Sequence, residues 1–234
     1  MSDFFSRIDL LIGSENVKKI QSKGVVIFGL GGVGGFVAES LARSGIGKIL
    51  LVDADVVDES NINRQIIALN STIKSSKVAL FQKRIQDINK SAEVSSLTLF
   101  IDKANINKID FTGYDYFVDA VDTVSAKIAI IQKAKDLNIK VISSMGTANK
   151  LNPSELRIDD INKTSMCPLA KVMRKLLKDE NIENVPVVYS LEKPVKEAYI
   201  AKNGKHFCGS MIFVPASAGL LMGSWVIDDI IENK

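Results

Sequence analysis

Lys23-Gly24-Val25-Val26-Ile27-Phe28-Gly29-Leu30-Gly31-Gly32-Val33-Gly34-Gly35 opens a stretch that continues through a helical pattern to Ser44-Gly45 and closes in Lys48-Ile49-Leu50-Leu51-Val52-Asp53. Two short apolar, β-branched runs enclose one amphipathic segment, the pattern of a strand, a helix and a parallel strand. Gly29, Gly31, Gly32 and Gly34 fill the first turn. Without Cβ atoms they permit a tight turn and let backbone N–H groups approach a phosphate at a helix N-terminus. Asp53 closes the second strand about 20 residues on, where an acidic side chain binds ribose hydroxyls. The stretch is a nucleotide site, but the glycines alone do not choose among NAD, FAD and ATP.

Composition narrows the classes. A chain of 234 residues, 46% apolar, can bury one sizeable core. Two cysteines, Cys167 and Cys208, exclude a disulfide framework and cannot by themselves complete a four-ligand zinc site. The single histidine, His206, argues against a histidine metal centre or triad. A net charge of +3 permits an RNA partner without requiring one. Met1-Ser2-Asp3-Phe4-Phe5-Ser6-Arg7 lacks the basic and apolar regions of a signal peptide, so the cytoplasm is the expected compartment. The most apolar segment, Met211 to Ile227, is shorter than the ~20 residues a bilayer needs. Pro215, Ser217, Gly219, Gly223 and Ser224 interrupt it. It reads as a strand ending at Pro215 and then a core helix, with no transmembrane segment.

Around the glycine turn, the chain reads as an α/β protein in order. Phe4 to Ile20 is a helical arm with Gly13 as a stop, and Arg7 lies on it. Beyond Asp53 the polar run Ala54-Asp55-Val56-Val57-Asp58-Glu59-Ser60-Asn61-Ile62-Asn63-Arg64-Gln65 follows a strand's carboxyl end, where open sheets bind ligands. Asn61 and Arg64, three apart, can face one point on a helical turn. The helix from about Ser75 to Asn89 carries Lys77 in its first turn, unfavourable against the helix dipole unless an anion sits there too. Val94 to Ile101 and Asp115 to Ala120 are further strands. The latter runs into Asp119-Ala120-Val121-Asp122, putting Asp122 on the rim of the glycine turn if the sheet is parallel. A carboxylate beside phosphates is the usual way to hold Mg²⁺, and Asp119 offers a cap for the helix from Thr123 to Leu137. Lys140 to Met145 is a fifth strand.

From Leu151 the character changes. Leu156 to Ile161 and Pro186 to Ser190 read as strands flanking a two-faced helix, Met166 to Asp179. Leu169, Val172, Met173 and Leu176 make its apolar face; Lys171, Arg174, Lys175 and Lys178 form a cationic stripe opposite. Such a stripe suits a phosphate backbone, though charge runs are more often solvated faces. Leu191 to Gly209 reads as a mobile loop. Small residues in the last helix permit close packing on the sheet.

Gly29-Leu30-Gly31-Gly32-Val33-Gly34, Asp53-Ala54-Asp55, Asn61-Ile62-Asn63-Arg64-Gln65, Lys77 and Asp119-Ala120-Val121-Asp122 together resemble the ubiquitin-activating-enzyme-like (ThiF) adenylating proteins, in order and spacing. The likeness is nearest to the tRNA threonylcarbamoyladenosine dehydratase branch. It extends through Phe5-Ser6-Arg7, Ala42-Arg43-Ser44-Gly45-Ile46-Gly47, Pro168-Leu169-Ala170-Lys171, Val187-Val188-Tyr189-Ser190-Leu191-Glu192 and Gly209-Ser210-Met211-Ile212-Phe213-Val214-Pro215. Cys167 departs from the aspartate expected there, and the paired zinc cysteines of carrier-protein activators are absent.

That resemblance implies one Rossmann-like domain over residues 1–234, its mostly parallel sheet flanked by helices and extended by antiparallel strands. The arm would be 1–22, the nucleotide-binding core 23–150 and the extension 151–234, with the mobile loop at 191–209. It implies ATP and Mg²⁺ as cofactors, without zinc. The substrate would be tRNA carrying threonylcarbamoyladenosine beside the anticodon. Gly29, Gly31, Gly32 and Gly34 would cradle phosphates, Asp53 and Asp55 would face the nucleoside, and Asn61, Arg64 and Lys77 would hold the triphosphate. Asp122 would hold Mg²⁺, and Arg7 would reach the ATP of the other subunit of a homodimer. A monovalent cation and a docked sulfur-transfer protein are left open. The rival readings are an activator of a ubiquitin-like sulfur-carrier C-terminus and an NAD-dependent oxidoreductase, in which Arg64, Lys77 and Asp122 have no task.

Overall fold

The computed structural model describes residues 4–195, 199–202 and 205–232. The arm is two short helices, α1 (Ser6–Ile12) and α2 (Ser14–Gln21), broken at Gly13, whose φ of +80° suits glycine. Then come β1 (Gly24–Phe28), α3 (Gly34–Ser44), β2 (Lys48–Val52), α4 (Lys77–Ile88), β3 (Glu93–Leu97), β4 (Tyr116–Asp119), α5 (Val124–Asp136) and β5 (Lys140–Ser144). The last third contributes β6 (Leu156–Asp160), α6 (Pro168–Asp179), β7 (Pro186–Ser190), β8 (Tyr199–Lys202), β9 (Lys205–Cys208) and α7 (Phe213–Glu232).

Seven strands form one sheet in the order β3-β2-β1-β4-β5-β7-β6, all parallel except β6, which runs antiparallel to β7. Alternation along the buried strands divides the core between two faces. Val25, Ile27, Ile49, Leu51, Val118 and Ile142 pack under α3, α4 and α7. Val26, Phe28, Leu50, Val52, Phe117 and Val141 pack under α5 and α6. Parallel strands covered on both faces must read as continuous apolar runs, and β1 is buried at every position. In-register pairing of Phe28 with Val52 and with Asp119 brings the exits of β1, β2 and β4 to one rim.

Three expectations for the last third are corrected. Met211 to Pro215 is no strand: α7 begins at Phe213, and Pro215 sits in its first turn, where a missing N–H does no harm. Gly219 and Gly223 of α7 meet a helix rather than the sheet. A Cβ at Gly219 would collide with the Val33 carbonyl, and one at Gly223 with Ser40 Oγ, both on or beside α3. By length and composition α7 could cross a membrane, yet Val214, Ala218, Met222, Val226 and Ile230 are buried at helical spacing against the core. Within 191–209, β8 and β9 pair as an antiparallel hairpin where a loop was expected. Residues 196–198 and 203–204 of that segment lie outside the described ones.

Candidate functional site

The turn between β1 and α3 lies where the strand order reverses, with β2 and β3 to one side of β1 and β4 and β5 to the other. Open α/β sheets bind ligands at such points. Gly29 has φ +83°, and a Cβ there would lie 2.8 Å from the Ala120 carbonyl oxygen, so conformation and crowding both require glycine. At Gly34 the missing side chain admits the Gly29 carbonyl, which closes the turn onto the helix. Gly31 faces open space, its nearest neighbour being Gln65 Nε2 at 3.8 Å from where a Cβ would stand. Val33, at the start of α3, makes no side-chain cap.

Asp53 has a structural task of its own. Its Oδ2 accepts the Leu30 N–H at 2.6 Å and its Oδ1 the Asp55 N–H at 2.7 Å, so this buried carboxylate also braces the glycine turn. The unfavourable placing of Lys77 is resolved within the chain. Its Nζ donates to Asp55 Oδ2 at 2.8 Å, and its backbone N–H to the Asp55 carbonyl at 3.1 Å. The lysine side chain is 5% exposed and that of Asp55 70%.

Asp58 caps the short turn Glu59–Asn61, and its own N–H donates to Asn61 Oδ1 at 3.2 Å. Arg64 Nη1 donates to the Ser60 carbonyl at 2.8 Å and to Asn63 Oδ1 at 3.0 Å. Its Cγ lies 3.4 Å from where a Gly32 Cβ would stand, so the polar run does fold back over the glycines. Gln65, quoted in the sequence motif without a role, is buried beside Gly31 with an Oε1 that has no partner among the described residues. The start of α7 joins the same rim: Pro215 lies 3.3 Å from the Cβ position of Gly32, and Asn63 Nδ2 donates to the Ser210 carbonyl at 2.9 Å. Reading that segment as a strand hid this second helix N-terminus.

Asp122 stands exposed on the β4 side, its recorded contact being Thr123 Oγ1 at 3.3 Å. Among the described residues no three acidic, histidine or cysteine side chains gather to hold a metal. One carboxylate still fits Mg²⁺ as nucleotide sites bind it, completed by waters and phosphate oxygens. Asp119 is not a helix cap. Thr123 occupies that position, while Asp119 is fully buried and paired with Lys127, a residue the sequence reading passed over.

Two expected participants lie apart. Arg7 is exposed on α1, whose neighbour Phe5 packs on Gly45, at the opposite end of α3 from the glycine turn. Eleven helical residues separate those ends, about 16 Å. On α6, Lys171, Lys175 and Lys178 are exposed, but Arg174 is not part of a free stripe. Its Nη1 donates to the carbonyls of Thr164, at 2.7 Å, and Ile161, at 3.2 Å. The buried face of α6 is Ala170, Met173 and Leu177, with Val172 exposed. Cys167, just before α6, is buried with its Sγ near Gly146 and does not cap the helix. A cavity of about 680 Å³ between α5 and α6 touches the rim only through Thr123 and is not the glycine cradle.

A doubly wound sheet with a glycine turn at its switch point, ringed by Asp53, Arg64, Lys77 and Asp122, defines a nucleotide-binding α/β protein with the means to handle phosphates. Residues 5–230 match the ThiF family, and the chain belongs to it. It is 43% identical to a tRNA threonylcarbamoyladenosine dehydratase of Bacillus subtilis (strain 168) over 98% of this chain and 95% of that protein. Its fold matches the E. coli tRNA N6-threonylcarbamoyladenosine dehydratase solved with ATP, with a TM-score of 0.90 and 29% identity over 98% of this chain and 94% of that one. The same E. coli enzyme solved with AMP matches at a TM-score of 0.89 and 30% identity, with the same coverage.

Proposed function

We propose that this protein is an ATP-dependent tRNA threonylcarbamoyladenosine dehydratase. The likeness along almost the whole of both chains to dehydratases, one of them solved with ATP, carries the reading. In the reaction, a carboxylate oxygen of the threonylcarbamoyl side chain attacks the α-phosphorus of ATP and pyrophosphate leaves, giving an acyl-adenylate. A nitrogen of the same side chain then attacks the acyl carbon, closes a ring, expels AMP and gives up its proton to solvent. The tRNA loses one water overall. Ring closure is intramolecular, so proximity alone supplies much of the rate, and no cysteine nucleophile is required.

The residues divide the work by charge. Phosphates lie in the cradle of Gly29, Gly31, Gly32 and Gly34, and Asp53 takes the ribose. Lys77 exchanges its exposed Asp55 partner for phosphate oxygens, joined by Asn61 and Arg64. Neutralising the triphosphate lets an anionic carboxylate approach it. Asp122 holds Mg²⁺, which when bound spreads the developing phosphate charge.

Arg7, carried on α1 beside the end of α3 opposite the glycine turn, serves the other subunit of a homodimer. Mixing Arg7→Ala with Arg64→Ala protein should then restore part of the activity each lacks, since some heterodimers contain one intact site. Verified heterodimers without activity would remove Arg7 from the site. The exposed lysines of α6 guide the tRNA, and the cytoplasm is the compartment in which the reaction would run. The deciding experiment is nucleoside mass spectrometry of tRNA incubated with the protein, ATP and Mg²⁺. Loss of 18 mass units from threonylcarbamoyladenosine, with AMP release, is expected. AMP release driven by a Gly-Gly-ended carrier protein and not by the tRNA would overturn the proposal.

A further inference from the structure

Beneath the rim between the glycine turn and Asp122 lies a dry polar cluster with no part in the reaction just described. Lys127, four residues into α5, is completely buried, as is Asp119 at the end of β4. The Lys127 Nζ donates to Asp119 Oδ2 at 3.1 Å, to Ser143 Oγ at 3.4 Å and to the Ser144 carbonyl at 2.7 Å. Ser143 Oγ in turn donates to Asp119 Oδ2 at 2.6 Å. The other carboxylate oxygen, Oδ1, accepts the Val121 N–H at 3.2 Å. One ammonium thus ties the carboxyl ends of β4 and β5 to the turn that carries Ala120, Val121 and Asp122.

Stability alone is a poor reason for such a cluster. Desolvating two charges costs as much as their attraction returns, and apolar replacements of like volume are often neutral or stabilising. What the cluster fixes is position. Asp122 projects into solvent with one weak hydroxyl contact, so its place is set by its backbone. That backbone is held from below by Asp119 and from the side by Gly29, which meets the Ala120 carbonyl too closely to admit a Cβ.

We infer that Lys127 is a positioning residue: through Asp119 it fixes the turn 120–122, and so sets where Asp122 offers its carboxylate to a metal–nucleotide. The inference rests on the reading of Asp122 as the Mg²⁺ ligand of ATP. It separates the two rim aspartates into a reacting one and a bracing one, although both stand in one Asp-x-x-Asp motif.

The test uses the whole chain. Lys127→Met alone leaves Asp119 charged, buried and unpaired, and can fail to fold. The Lys127→Met, Asp119→Asn double variant removes both charges and keeps an acceptor for the Val121 N–H. Three quantities are read: melting temperature without ligand, ATP binding without Mg²⁺, and the Mg²⁺ concentration giving half the full ATP-induced rise in melting temperature. The double variant should melt close to wild type yet require at least tenfold more Mg²⁺, while ATP binding measured without Mg²⁺ stays unchanged. Unaltered Mg²⁺ demand in a folded double variant would overturn the inference. Equal weakening of ATP with and without Mg²⁺ would also do so, because the cluster would then serve the whole rim. A wild-type protein whose ATP binding ignores Mg²⁺ would instead remove the reading of Asp122 itself.

Discussion

Lys77 and Lys127 each meet an aspartate at the carboxyl edge of the same sheet, at 2.8 Å and 3.1 Å, and distance hardly distinguishes them. Surroundings do. Asp55 leaves 70% of its side chain in water, whereas Asp119 and Lys127 leave none. An exposed carboxylate stays solvated if its lysine turns to another anion, so the Lys77 pair can change partners at little cost. The Lys127 pair cannot, since either charge left alone in the dry interior is unstable by several kcal/mol. On the proposed function, the Lys77 side of the rim is the one that can exchange partners with a phosphate, and the Lys127 side is the one that stays still. A nucleotide site needs both, because electrostatic stabilisation works best when the charges do not reorganise during reaction.

The sharpest way to break this contrast is on the still side, at its exposed tip. Asp122→Asn is isosteric and removes only a solvated charge, so turnover should fall at least a hundredfold while the melting temperature holds. Adenylation above a tenth of the wild-type rate, a barrier change below about 1.4 kcal/mol, would mean that Asp122 holds no metal. The mobile side should respond less. Lys77→Gln should weaken ATP binding by about tenfold, roughly 1.4 kcal/mol, with little change in stability. If instead melting falls by more than about 4 °C with ATP affinity intact, the Asp55 pair is structural and not an exchange point.

A smaller contrast lies on α6, between three solvated lysines and one engaged arginine. Changing Lys171, Lys175 and Lys178 to glutamine should flatten the salt dependence of tRNA affinity by about two log–log units, at roughly 0.7 to 0.9 per phosphate contact. Arg174→Gln should leave that slope alone and lower stability, since it unties α6 from Ile161 and Thr164. Parallel salt titrations for wild type and the triple variant would place the tRNA elsewhere.

What the sequence made legible follows the same division. The glycine turn, Asp53 and the strands of the first 150 residues could be read because each is local: a turn needs glycines wherever it occurs, and doubly buried strands are apolar throughout. Family likeness is what named Arg64, Lys77 and Asp122 as candidates. Lys127 could not be found that way, for a lysine inside an amphipathic helix resembles any surface cation until the sheet closes over it. Arg174 shows the converse: helical spacing places it with the lysines, and only its bonds to the carbonyls of Ile161 and Thr164 tie it back to the chain. The first turn of α7 misled through β-branched and aromatic residues around Pro215, whose helical state is set by packing on α3 rather than by propensity.

The smallest effect is expected at Cys167, and its sign carries the information. This thiol stands at the N-cap of α6 with extended backbone, φ −95° and ψ 115°, but makes no capping bond. Lys150 lies close by and is itself buried, its Nζ donating to the carbonyls of Ser190, at 3.2 Å, and Glu192, at 3.0 Å. Burial pushes the Lys150 ammonium below its ordinary range, while Cys167 and Glu192 pull the other way. A depressed lysine means that the fold disfavours the charged form, so stability is withheld at neutral pH and returns as pH rises toward the unfolded value. Cys167→Asp would supply both an N-cap acceptor and a fixed negative charge beside that ammonium. It should add about 1 kcal/mol, raising the melting temperature by roughly 2 to 4 °C and weakening the rise of stability at alkaline pH. Thermal melts of both proteins from neutral to alkaline pH decide it. A lower melting temperature would show that the pocket is too dry for a carboxylate even with a lysine beside it.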